Sequence, residues 1–272
     1  MPIIALLTDF GMRDYYVGAM KGVILQINPQ ATLVDISHEI SPQDVFHGAF
    51  VLRQAFPYFP VKTIFLAVVD PTVGTPRRIL AARYNERTII APDNGLITLL
   101  HRDGNLEEIR IVENRHLFAA SPAHTFQGRD IMAPIAAYLS KNDSMEYLGP
   151  LADHVELLDL ARPTIHSDGT IDGQVILIDH FGNLITNISA MDLGGRGASW
   201  MTRHALIGPH DLGPIRATYA DAPEGHPLAL IGSAALLEIA INGGHAARQL
   251  KMERGSTVQL RCMQRPRIQK ES

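Results

Sequence analysis

Three apolar runs end in loops that carry an acid: Thr8-Asp9-Phe10-Gly11, Asp35-Ile36-Ser37-His38 and Asp70-Pro71. A lone aspartate in such a loop is as readily a turn former that bonds its own backbone. Three of them at the ends of apolar strands favour a cleft lined with carboxylates, because ligands of open parallel sheets bind outside the strands' carboxyl ends. Asp70 is followed by Val73-Gly74-Thr75-Pro76-Arg77-Arg78. Gly74 permits a tight turn that lets Arg77 fold back towards Asp70. A carboxylate beside a guanidinium can hold a water and stabilise hydroxide character in it. Arg78 reads instead as a surface residue flanking the next strand, and Asp93-Asn94-Gly95 as a cap opening a helix over residues 96–100.

Other chemistries lack their residues. None of the 12 histidines falls into HExxH or another ligand spacing, so no metal and no cofactor is expected. The chain has no G-x-S-x-G, P-loop or G-x-G-x-x-G segment. A single cysteine, Cys262, excludes an internal disulfide.

The elements that must position these acids follow from periodicity. Residues 3–7, 33–36 and 64–69 are nearly continuous apolar runs, as in strands buried on both faces of a parallel sheet. Between them, Val17, Met20, Ile24 and Ile27 repeat at helical spacing up to Asn28-Pro29, where a helix stops. Val45, Ala49, Leu52 and Phe56 mark a second helix, with Ser41 placed to cap it and Pro42 in its first turn. Ile131, Ile135 and Leu139 mark a third. The alternation predicts a doubly wound α/β domain with a mostly parallel sheet over residues 1–155. A linker is expected at 156–170. Short runs at 175–178, 184–188, 205–207, 216–219, 228–231, 236–241 and 258–260 then predict a smaller antiparallel β-barrel domain over 171–264. Residues 190–201 are glycine-rich and ambiguous, and a charged, frayed tail is expected at 265–272.

Lys+Arg 24 against Asp+Glu 28 gives a net charge of −4, so no nucleic-acid partner is expected. Hydrophobic residues at 46% supply a full core, and charged residues at 19% are too few for a disordered protein. No apolar run approaches the ~18 residues of a membrane span, and the start of the chain does not read as a signal peptide. The expectation is a cytoplasmic protein with no membrane partner.

Eight segments add a resemblance when taken in order. They are Leu7-Thr8-Asp9-Phe10-Gly11, Met20-Lys21-Gly22-Val23-Ile24, Val34-Asp35-Ile36-Ser37-His38-Glu39-Ile40, Val68-Val69-Asp70-Pro71-Thr72-Val73-Gly74-Thr75, Ala91-Pro92-Asp93-Asn94-Gly95-Leu96, Gly128-Arg129-Asp130, Ile178-Asp179-His180-Phe181-Gly182-Asn183-Leu184-Ile185-Thr186-Asn187 and Leu230-Ile231-Gly232-Ser233. Each is weak alone, but together they closely resemble the S-adenosyl-L-methionine hydroxide adenosyltransferases, relatives of the fluorinases and chlorinases. The resemblance runs from about residue 3 to 262. It implies an N-terminal α/β domain, a C-terminal β-barrel, and a homotrimer with sites between subunits. It implies hydrolysis of S-adenosyl-L-methionine to adenosine and L-methionine, with water attacking the ribose 5′ carbon.

By the same resemblance Asp9 would hold the ribose hydroxyls, Phe181 and Asn183 would contact adenine, and Ser233, the Ala234 backbone and Glu238 would hold the methionine end. Phe10, Gln43 and Asp179 complete the implied substrate-binding set. Asp70 and Arg77 match two of the family's three catalytic positions. The third departs: where the family reads His, this chain has Gln127, which exchanges hydrogen bonds but takes up no proton near neutral pH. Thr72 replaces a usual glycine, and Gln43 stands where halogenases carry a tryptophan. Three alternatives stand beside hydrolysis: binding of adenosine or S-adenosyl-L-methionine without turnover, a halogenase, and a metal-dependent nucleotide or phosphate hydrolase. An anionic Asp70 beside an incoming halide disfavours the halogenase.

Overall fold

The computed structural model describes residues 1–194 and 202–262. It divides into two compact units, Met1–Asp159 and Leu160–Ser272. In the first, six strands form one sheet: β1 (Ile3–Thr8), β2 (Thr32–Ser37), β3 (Ile64–Val68), β4 (Ile79–Tyr84), β5 (Arg87–Pro92) and β6 (Leu106–Ile111), ordered β2-β1-β3-β5-β4-β6. The pairings from β2 through β5 are parallel, and β4 runs antiparallel to both β5 and β6. The helices are α1 (Tyr16–Ile27), α2 (Val45–Ala55), α3 (Thr98–Asp103) and α4 (Ala133–Asn142).

Side-chain alternation along the central strands sorts the core into two layers. Ile4 and Leu6 of β1 with Ile64, Leu66 and Val68 of β3 pack with Met20 and Ile24 of α1 and Ile135 and Leu139 of α4. Their neighbours Ala5, Leu7, Phe65 and Ala67 pack on the other face with Ala49 and Leu52 of α2 and Leu100 of α3. Strands covered on both faces are apolar at nearly every position, and β3 is buried throughout. Each large side chain so removed from water contributes about 1.5–3 kcal/mol. Helix α2 lies so close to the sheet that a Cβ on Gly48 would sit 2.8 Å from Leu96 Cδ1 and 2.9 Å from Val69 Cγ2.

The second unit holds β7 (Thr164–Ile165), β8 (Ile171–Ile178), β9 (Leu184–Ser189), β10 (Arg203–Ile207), β11 (His210–Pro214), β12 (Pro227–Ile231), β13 (Leu236–Ile241) and β14 (Thr257–Cys262), with a short helix α5 (Ala246–Leu250). The antiparallel order is β11-β10-β14-β8-β9-β13-β12, with β7 on β8. The Arg216 N–H donates to the Ala229 carbonyl at 2.7 Å, bringing the chain after β11 onto β12 and nearly closing a barrel around Ile171, Val175, Ile188, Leu237 and Ile239.

Three local expectations are corrected. Helix α2 starts at Val45, not near Ser41: Gln43 adopts φ 65°, which no right-handed helix can include, and Asp44 is the cap, accepting from the His47 N–H at 3.0 Å. Helix α3 starts at Thr98 rather than 96, because the Asp93 side chain is engaged by Arg78 and the Glu156 N–H and Gly95 turns at φ 94°. Residues 216–219 form no strand; Arg216 makes a single bridge, and Thr218 opens a 3-10 turn. The strand lies at His210–Pro214, disguised in the sequence by Gly213 and Pro214. The tail at 265–272 and most of the glycine-rich segment at 190–201 lie outside the described residues. Among the described residues no helix is long and apolar enough to cross a membrane.

Candidate active site

The parallel register brings two of the three acids together; the third, Asp35, lies within β2 rather than in a loop and is tied to Lys21 and His38. Thr8 at the end of β1 pairs with Val68 at the end of β3, so Asp9 and Asp70 leave adjacent strands at the same edge of the sheet. Asp9 Oδ2 accepts from the Gln43 N–H at 2.8 Å, which ties the β1 loop to the turn before α2. Among the described residues Asp9 Oδ1 takes no hydrogen bond, leaving an ionised acceptor open to a donor pair such as a diol.

Asp70 and Arg77 form a closed ion pair, their side chains 5% and 7% exposed. Arg77 Nε donates to Asp70 Oδ1 at 2.8 Å and to Oδ2 at 2.7 Å, and Nη2 also contacts Oδ2. The turn between them passes through Gly74 at φ 84°. Thr72 adds its hydroxyl, 3.1 Å from Oδ1. A carboxylate has about four acceptor positions. Thr72 draws on Oδ1 through its N–H as well, and Oδ2 takes both Arg77 contacts, so a water at Asp70 has to share or displace one of these donors. Arg78 turns away to the buried Asp93, at 2.8 Å through Nε, and is structural.

Gln127 precedes a π-helical turn, Gly128–Met132, that feeds into α4. Such bulges recur at functional sites because they redirect a helix's first residues. A Cβ on Gly128 would lie 3.5 Å from Val68 Cγ1, and one on Gly74 would lie 3.3 Å from the His124 carbonyl. The Gln127 segment therefore packs against both the end of β3 and the Asp70 loop. His124 itself is exposed. Arg129 and Asp130 hold the segment's shape: the Arg129 hydrogen bond outweighs burial and lowers the Asp130 pKa, and Asp130 also accepts from the Ala123 N–H at 2.8 Å. Phe126 meets Phe10 edge-on at 6.0 Å and Tyr16 at 5.2 Å, joining this segment to the Asp9 loop. Phe10 is thus a packing residue between the two loops.

In the second unit, the β8–β9 turn is built by Asp179. Its carboxylate accepts from the Asn183 N–H at 2.8 Å and from the Asn183 amide nitrogen at 2.9 Å. Gly182 sits at φ 87° against His245, and a side chain there would collide with that ring. The turn presents Phe181 outward, 72% exposed, while Asn183 is buried. Glu238 on β13 is 8% exposed and accepts from the Tyr219 hydroxyl at 2.5 Å. Burial, against the Tyr219 bond and with the Asp179 charge, raises the Glu238 pKa. The same burial and carboxylates raise that of Tyr219. Ser233 and Ala234 lie in the β12–β13 turn, closed by the Ala235 N–H on the Gly232 carbonyl at 3.0 Å. A side chain on Gly232 would force the Glu238 carboxylate, which fills that space, to shift. Sequence reasoning missed Tyr219, whose partner lies 19 residues away. It also missed Thr8 and His38, buried partners at 2.8 Å. Among the described residues no three His, Cys, Asp or Glu side chains converge as metal ligands.

The SAM hydroxide adenosyltransferase N-terminal domain matches residues 4–149, and the C-terminal domain of the same family matches 173–259. The chain belongs to this family. It is 39% identical to a Thermus thermophilus protein named (R)-S-adenosyl-L-methionine hydrolase, over 93% of this chain and 97% of that one. It is 34% identical to a Salinispora arenicola protein of the same name, over 95% and 97%. A fluorinase of Actinoplanes sp. is more distant, 31% identical over 94% and 96%. A crystal structure of an uncharacterized conserved protein from Thermotoga maritima superposes with a TM-score of 0.88 at 35% identity, over 96% of this chain and 100% of that one.

Proposed function

We propose that this adenosyltransferase-family chain hydrolyses S-adenosyl-L-methionine to adenosine and L-methionine. The observation that carries the reading is the closed Asp70–Arg77 pair, set at the same sheet edge as Asp9. The sulfonium needs little help to leave: as the C5′–S bond breaks, its electron pair neutralises sulfur. The protein has to place a water in line behind C5′ and exclude others, so positioning supplies much of the barrier reduction. Asp70 accepts a hydrogen bond from that water, Arg77 stabilises hydroxide character in it, and the proton it loses as the C5′–O bond forms passes through Asp70 to solvent. A halide nucleophile would meet the Asp70 carboxylate, which disfavours halogenation.

Asp9 takes the ribose diol, Phe181 offers adenine a flat apolar face, and Asn183 reads its polar edge. Asp179 and Glu238, with Ser233 and the Ala234 backbone, take the amino-acid end. Gln127 orients by hydrogen bonding and takes no proton. The chain is proposed to work as a homotrimer, with each site completed by a neighbouring subunit; the outward Phe181 supports this, and sedimentation equilibrium tests it. No metal participates in the reaction as written, so activity should persist in excess chelator.

A second reading, binding without turnover, is favoured by one observation: Gln127 in place of the family's histidine. Incubating the purified chain with S-adenosyl-L-methionine decides between them. Adenosine release supports hydrolysis, and stoichiometric binding with no release over hours supports the second reading.

A further inference from the structure

One buried histidine holds the Thr8 side chain before Asp9 and the backbone that follows Asp9. The Phe10 N–H donates to Thr8 Oγ1 at 3.2 Å, and Thr8 Oγ1 lies 2.8 Å from His38 Nδ1. The Gly11 N–H donates to the His38 carbonyl at 2.8 Å. On the far side of the ring, Nε2 lies 3.0 Å from Asp35 Oδ1, and Lys21 Nζ donates to Asp35 Oδ2 at 2.6 Å. Thr8 and His38 are 0% and 3% exposed, whereas Asp35 and Lys21 reach solvent.

A single tautomer satisfies every bond in this chain. An ionised carboxylate only accepts, so the proton between His38 and Asp35 belongs to Nε2. Burial opposes the Asp35 charge, but the bonds from Lys21 and His38 outweigh it and lower its pKa. A neutral ring protonated at Nε2 presents a lone pair at Nδ1, so the Thr8 hydroxyl donates there. That leaves the Thr8 oxygen free to accept from Phe10. An apolar residue would fill position 8 as well as Ile4 or Leu6 fill theirs. Burying a hydroxyl and an imidazole instead is tolerated only because each is paired.

We infer that Thr8, His38 and Asp35 form a positioning chain that fixes the peptide group following Asp9 and so sets how its carboxylate meets a vicinal diol. The inference rests on the ribose role proposed for Asp9. None of the three touches substrate. Their loss should weaken nucleoside binding while leaving the chemical step largely intact.

Full-length Thr8→Val, Thr8→Ser, Asp35→Ala and Asp9→Ala variants test it, through adenosine affinity by calorimetry, KM and kcat for S-adenosyl-L-methionine, and Tm. Thr8→Val keeps the shape and removes the hydroxyl. It should raise adenosine Kd and KM about tenfold, the equivalent of one hydrogen bond, with kcat within about threefold. Thr8→Ser should restore the wild-type Kd. Should Thr8→Val not fold, Asp35→Ala, altered at the exposed end, should raise Kd by roughly threefold or more. A lowered Tm with unchanged Kd in the folded variants means a structural role only and overturns the inference. If Asp9→Ala weakens binding while Thr8→Val and Asp35→Ala do not, the positioning chain falls and the ribose reading stands. If Asp9→Ala itself leaves Kd unchanged, both fall.

Discussion

Arg77 Nε donates to both carboxylate oxygens of Asp70, at 2.8 and 2.7 Å, with each side chain less than a tenth exposed. A pair so enclosed contributes little net stability, because two charges had to be desolvated to form it. Its value lies in geometry: a carboxylate with one fixed orientation and a cation beside it, at the edge where Asp9 also emerges.

Removing one partner leaves the other charged and buried. Asp70→Ala should abolish adenosine release, keep adenosine affinity within a few fold, and cost about 3 kcal/mol of stability from the stranded Arg77. Product assay, calorimetry and thermal melting measure the three. A wild-type rate would remove Asp70 from the reaction.

Asp9 has a different assignment and a different signature. Asp9→Ala should weaken adenosine binding by about tenfold or more, since charge-assisted bonds are worth roughly 1.5–3 kcal/mol each before water compensates. Titration calorimetry with adenosine checks it, and unchanged affinity would take Asp9 out of the ribose site.

Much of this was legible in the sequence for a physical reason. Strands β1 and β3 are buried on both faces, so their apolar runs and the acids that follow them stand out. The strands β4 to β6 and the start of α2 were not legible, because antiparallel pairing and the left-handed Gln43 depend on contacts distant in sequence. The same holds at the site. Asp70 and Arg77 are seven residues apart and readable as a turn, whereas Thr8 and His38 are 30 apart and Tyr219 and Glu238 are 19 apart. No local pattern joins those pairs.

Gln127 predicts a pH profile. With no proton-accepting side chain at this position, the wild-type rate should show no titration of residue 127 near the ordinary histidine value of about 6.5. Gln127→His should add such a titration and raise the rate, by up to ~10²-fold if well aligned. Rate profiles from pH 5 to 9 for both proteins measure this. An inactive wild type with an active Gln127→His would favour binding without turnover for the natural chain.

Glu238 predicts a stability profile. Its folded pKa is raised above the ordinary 4.5 by burial. The protonated form is therefore the one the fold prefers. Its contribution is complete below the ordinary value and lost as pH rises through the raised one. Glu238→Gln keeps an acceptor for Tyr219 and carries no charge, so its Tm should exceed the wild type's by a margin that grows from pH 4 to 8. Parallel Tm curves would contradict the burial argument.

Water held by Asp70 and Arg77 is proposed as the nucleophile at C5′. Reaction of the purified chain with S-adenosyl-L-methionine in ¹⁸O-labelled water, followed by mass spectrometry of the nucleoside, tests it directly. Adenosine should carry one ¹⁸O at its 5′ hydroxyl and be released together with L-methionine, in the presence of chelator and of chloride alike. Unlabelled adenosine, a 5′-halogenated nucleoside, or bound substrate with no product would contradict it.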